Sequence, residues 1–134
     1  MFIDTNVFLY AAGRDHPLRE HSLRILERIG SGDLRASTST EVIQELLYVL
    51  TRRGNRGAGI ALAREILDLM PDLLPVSKPD IALALLYMER YERLNVRDAV
   101  HLGTMLNNGI DSIITADRDF DEIEDVTRVD PGEY

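Results

Sequence analysis

The sequence predicts an α/β protein of three layers, with helices on both faces of a central parallel sheet of four to five strands. Short apolar runs alternate with longer stretches of helical spacing along the whole chain. Four acidic residues, Asp4, Glu45, Asp98 and Asp117, stand where an apolar run gives way to a helix start or at the edge of a helix's apolar face. In a parallel α/β sheet the carboxyl ends of the strands open onto one crevice, so acids at such places converge although the sequence separates them. At 134 residues the chain is expected to form one domain, 1–134.

Residues 2–4 read as a short buried strand, after which Thr5-Asn6 offers a helix cap before Val7-Phe8-Leu9-Tyr10. Pro17 suits the first turn of a second helix, with Leu18, Ser22, Ile25, Leu26 and Ile29 on one face and Gly30 to Gly32 as its stop. A strand at 34–37 follows, then a helix opened by Thr38 with Glu41 three residues on, the capping-box pattern. The stretch 52–59 (RRGNRGAG) reads as a loop, and 60–70 resumes helical spacing up to Pro71. Residues 73–76 make at best an edge strand, since Pro75 removes a ladder donor. The helix at 80–94 is apolar almost all round in its first half and is expected to be buried on two sides. Asn95 caps the helix carrying Asp98, which ends near Gly109. A strand at 112–115, a short helix at 119–124 and a closing strand at 126–129 complete the chain.

Cysteine is absent, which excludes disulfides, thiolate nucleophiles and cysteine-based zinc sites. No segment has the apolar length of a membrane span and no basic region precedes the first strand, so a cytoplasmic location is expected. The formal charge of −8 argues at first sight against a nucleic-acid substrate. Two divalent ions held by the acids would leave −4 of it and turn a site that repels phosphate into one that attracts it. Lys78 is the single lysine; every other basic residue is an arginine, the side chain suited to bidentate phosphate contact.

Carboxylates at helix N-termini are favoured by the helix itself, so Asp4, Asp98 and Asp117 each have a structural as well as a functional reading. Glu45 falls roughly 40° beyond the apolar arc of its helix at ~100° per residue, and Asp98 lies about 40° from Leu102, so both are expected at the lip of the crevice. Glu41 already serves the capping box, which leaves Glu45 as the candidate ligand on that helix. Oxygen-only coordination of this kind suits Mg²⁺ or Mn²⁺, ions that polarise phosphoryl oxygens and activate water. His16 and His21 fit no metal-ligand spacing, and His101 lies on the side of its helix facing away from most of the apolar arc, so all three are expected to be surface or packing residues.

On FIDTN, STEVIQEL, RDAVHL and SIITADRDFDEI, in that order and over nearly its whole length, the chain resembles the PIN-domain nucleases, and among them the VapC-type toxins of prokaryotic toxin–antitoxin pairs. The resemblance implies a PIN-like α/β/α fold, an acidic pocket holding Mg²⁺ or Mn²⁺, and cleavage of single-stranded RNA. Asp4, Glu45, Asp98 and Asp117 match the family's acidic quartet. Asn6 and Thr115 match the polar positions beside it, either orienting carboxylates or capping helices, and Asp119 matches an additional acidic position. The toxin reading implies an antitoxin partner whose C-terminal segment wraps the toxin. An arginine or lysine from that segment is the physical match to the acidic pocket.

Housekeeping PIN nucleases for RNA processing carry the same acids and are the nearest alternative. A Mg²⁺-binding phosphoacceptor signalling domain is the rival from another class. Lys78-Pro79 fits it superficially but precedes both RDA and ITAD, the wrong order, and the start lacks an adjacent acidic pair. A non-catalytic binding protein is the third possibility. Surplus apolar surface on the helix at 80–94 predicts a two-fold homodimer.

Overall fold

Phe2–Ile3 (β1) is the first strand of a three-stranded sheet, and both its residues are fully buried. The computed structural model describes residues 1–134. On one side β1 pairs in parallel with Ser112–Ile114 (β2), Phe2 opposite Ile113 and Ile3 opposite Ile114. β2 in turn pairs in parallel with Thr127–Val129 (β3). On the other side of β1 the sheet continues only as single parallel bridges, Phe2 to Ser37 and Ser39 to Leu74. Three strands therefore stand where four to five are expected. The expected strand at 34–37 is reduced because Ser39 caps a helix at once. The expected strand at 73–76 is reduced to Leu74, flanked by a proline with no N–H to donate.

Six helices cover this sheet, giving the α/β/α layering. Thr5–Ala12 (α1) follows β1 directly, capped by Asp4, whose side chain accepts from Thr5 N. Arg19–Gly30 (α2) packs on α1 and buries Ser22 and Ile25. Thr40–Arg52 (α3) is capped by Ser39, whose Oγ accepts from Val42 N, and not by Thr38. Thr38 instead donates its hydroxyl to Ile3 O at 2.9 Å, tying the segment to β1. The expected capping box from Thr38 to Glu41 is thus absent.

The loop expected over 52–59 is confined to the turn between α3 and Arg56–Leu69 (α4), because Gly57 and Gly59 are helical. Gly59 serves close packing: a Cβ there would meet Leu50 Cβ at 3.2 Å. Lys78–Arg90 (α5) begins earlier than expected, since Asp80 accepts from Ser77 N at 2.8 Å in a capping box. Val96–Asn107 (α6) is capped by Asn95, as the sequence indicates.

The helix buried on nearly all sides is α6, not α5. Every residue of α6 from Asp98 to Met105 is buried, whereas Ile81, Leu85 and Leu86 of α5 are exposed. Small residues decide this: Gly103 lets the backbone of α5 approach so closely that a Cβ would lie 2.1 Å from Asp80 O. No helix is long and apolar enough to cross a membrane.

Candidate active site

The four acids named from the sequence come from four separate elements. Asp4 follows β1, Glu45 lies in mid-α3, Asp98 in the first turn of α6, and Asp117 follows β2 as the cap of a short 3₁₀ helix, Arg118–Glu122. Asp4 is buried with three donors on it. Thr5 N reaches Oδ1 at 2.7 Å, while Asn6 Nδ2 and the Thr115 hydroxyl reach Oδ2 at 2.5 and 2.6 Å. Thr115 also accepts from Asn6 Nδ2 and Asp117 N, so one hydroxyl links the end of β2 to the start of α1. Asn6 and Thr115 thereby orient a carboxylate; neither is the cap residue of its helix.

Glu45 accepts through Oε2 from the Thr5 hydroxyl at 2.6 Å and from His101 Nε2 at 3.1 Å. Its other oxygen faces Arg97 Nη1 at 3.5 Å, and that guanidinium rests on the Tyr48 ring, 4.6 Å from the centroid. Asp98 is only 7% exposed, deeper than the lip position expected of it. Asn95 donates its side-chain amide to Asp98 Oδ2 and accepts from Asp98 N at 3.0 Å. Asp117 Oδ1 accepts from Asp119 N at 2.9 Å. Asp119 is exposed, and of its groups it is the backbone that meets the acids.

His101 corrects the reading of the histidines. It is fully buried, its Nε2 lying 3.1 Å from Glu45 and 3.8 Å from Asp4 Oδ1. A carboxylate only accepts, so Nε2 carries the proton. Asp4, Glu45 and His101 offer donor atoms all within 4.8 Å of one another. A histidine on α6 three residues after Asp98 shares its face, and that spacing was the available signal.

The electrostatics are those of anions short of a cation. Burial pushes the Asp98 carboxyl up to about 7, reinforced by the charges of Asp4, Asp117 and Glu45 and only partly opposed by His101. Burial also raises Asp4, against the lowering by His101 and the hydrogen bonds it accepts. For Glu45, burial is outweighed by the bonds from His101 and Thr5, which hold it below the usual range. Burial opposes charge on His101, but the Glu45 hydrogen bond and the surrounding carboxylates overcome it and raise the ring's pKa. Asp98 Oδ1 and Asp117 Oδ2 accept no hydrogen bond, which leaves them available to a ligand.

Comparison with known proteins agrees with this architecture. The PIN domain family matches residues 1–126. Ribonuclease VapC23 of Mycobacterium tuberculosis is 37% identical over 117 residues, covering 87% of this chain and 92% of that protein. Among solved structures, M. tuberculosis VapC20, described as a sarcin-ricin loop cleaving toxin, superposes with a TM-score of 0.75 at 21% identity, over 92% of this chain and 94% of that one. DNA-bound VapBC from Salmonella typhimurium gives a TM-score of 0.76 at 16% identity, over 97% of this chain and 96% of that one.

Proposed function

The chain belongs to the PIN-domain family, and from that premise we propose that it is a Mg²⁺- or Mn²⁺-dependent endoribonuclease cutting single-stranded RNA, the toxin of a toxin–antitoxin pair. The observation that carries the reading is the gathering of Asp4, Glu45, Asp98 and Asp117, close enough that burial first and the charges of the other three after it push Asp98 up to about 7. A hard divalent cation fits these carboxylate oxygens, while His101, whose Nε2 proton is given to Glu45, serves to anchor that carboxylate.

When bound, such an ion supplies positive charge to the phosphoryl group and acidifies water beside it. The chain's own residues do the holding. Asn6 and Thr115 hold one oxygen of Asp4, Thr5 and His101 hold one of Glu45, and Asn95 holds one of Asp98. Carboxylates fixed in this way lose little freedom on meeting a cation. Arg97, resting on Tyr48 beside Glu45, offers the nearest guanidinium to a phosphate bound there. Asp119 supports Asp117 through the backbone.

The partners of this reading are RNA in the cytoplasm, an antitoxin that presents arginine or lysine to the acids, and a second copy of the chain. Named relatives are ribonucleases and toxin–antitoxin complexes, which supports the first two. The exposed apolar face of α5 supports the third. The test is cleavage of a labelled single-stranded RNA by purified protein. Cleavage is expected with Mn²⁺ or Mg²⁺ and lost with EDTA or with Asp98→Asn, and undiminished cutting in excess EDTA would sink the metal mechanism.

A further inference from the structure

We propose that the groove between the C-terminal ends of α1 and α3 is the track along which RNA leaves the acidic site, its phosphates taken by Arg14 and Arg53; the inference rests on the nuclease reading and names how that site holds its substrate. The groove begins at Asn6, the residue that also donates to Asp4, so it is continuous with the acids. Tyr10, Gly13, Arg14, His16 and Arg53 line this first part, about 400 Å³. It runs on through a second hollow of about 600 Å³ that shares Leu9, Gly13, Arg14 and Arg53 with it.

In a chain with 23 acidic and 15 basic residues, neither part of the lining contains a carboxylate. Arg14 and Arg53 are exposed, and neither guanidinium makes a hydrogen bond or ion pair within the chain. Arg19, Arg90, Arg93, Arg97 and Arg128 are paired with carboxylates; other arginines are free too, and what sets Arg14 and Arg53 apart is that both line this one carboxylate-free groove beside the acids. Unpaired guanidiniums facing one carboxylate-free channel are complementary to a polyanion. Beside them Tyr10 and His16 stack face to face, centroids 3.9 Å apart and planes within 8°. Such a pair holds the loop after α1 and offers an aromatic surface to an unpaired base. Its two arginines give the groove the charge that the acidic pocket lacks for a nucleic acid.

The experiment is fluorescence anisotropy of a fluorescein-labelled 12-nucleotide single-stranded RNA in EDTA, where no cleavage occurs, on wild type, Arg14→Ala, Arg53→Ala and the double variant. Arg64→Ala, an exposed arginine on α4, controls for net charge. Binding by the double variant is expected to weaken about tenfold or more. The slope of log K against log salt should also flatten by about 1.4, roughly 0.7 for each lost contact to a single strand. Arg64→Ala should bind as wild type. RNA binding unchanged in the double variant, or weakened equally by Arg64→Ala, overturns the proposal. So does loss of antitoxin capture with RNA binding intact, which would make the groove a protein's seat. The nuclease reading is judged separately, by Mn²⁺-dependent cutting by the wild type: its failure leaves the anisotropy result standing as a test of the groove.

Discussion

Asp98 carries the strongest consequence at the scale of single residues. Its raised pKa means that the folded, metal-free protein gains from protonating it. That contribution is complete below the ordinary carboxylate range and is lost as pH climbs through about 7. Asp98→Asn keeps the bond with Asn95 and carries no charge. At pH 8 in EDTA it should therefore melt above wild type, by about 2–4 kcal/mol at most, with the difference closing near pH 4. Thermal melts across that range decide it, and a variant less stable than wild type at pH 8 would contradict the uncompensated charge. His101→Ala removes the partner of Glu45 and leaves a void beside Phe2, whose ring lies 5.6 Å from the imidazole. A loss of about 2–4 kcal/mol in urea unfolding and of most RNA cleavage is expected. Full activity in that variant would show that Glu45 needs no such anchor.

Between elements, the pairing of α5 with α6 is the closest approach. Gly103→Ala would place a Cβ 2.1 Å from a backbone oxygen of α5. Relief requires the backbones of α5 and α6 to move apart, so a destabilisation of about 3 kcal/mol or more is expected. A urea midpoint within error of wild type would show that α5 shifts freely. Asp80 secures the same helix, with donors from Ser77 N at 2.8 Å and Asn107 Nδ2 at 2.8 Å. Burial works against its charge, but those bonds prevail and lower its pKa. Its stabilisation is therefore present above the ordinary carboxylate range and is lost as pH falls through the lowered value. Asp80→Asn should cost about 1–2 kcal/mol at pH 7, and the gap to wild type should narrow below pH ~4. A gap independent of pH would place the effect in packing.

For the molecule as a whole, the apolar face of α5 is the largest unexplained feature. Leu85 and Leu86 are 55% and 61% exposed, and Ile81 lies a turn before Leu85. A two-fold pairing through this face would bury them, and none of the four acids stands on α5. Light scattering at micromolar concentration should report a dimer for wild type and a monomer for Leu85→Glu with Leu86→Glu. A wild-type monomer would refute the pairing.

Local sequence determined which residues could begin helices and where acids would stand. Asn95 is a cap written in its neighbours, and the alternation of short apolar runs with helical spacing carries the α/β class, because both depend on residues within a few positions; the cap of α1 is Asp4, one residue ahead of the Thr5-Asn6 pair that local sequence offers. The cap of α3 was misplaced by one residue because Thr38 and Ser39 are locally equivalent. Only the bond from Thr38 to Ile3, 35 positions away, separates them. The same limit hid His101, whose burial depends on Glu45, 56 positions distant, and on Phe2. It also hid the exchange of burial between α5 and α6, which a single glycine opposite a carbonyl decides. Helix starts are contests between a residue and its neighbours, whereas burial, charge compensation and close helix approach are contests between segments, and only the folded chain brings those segments together.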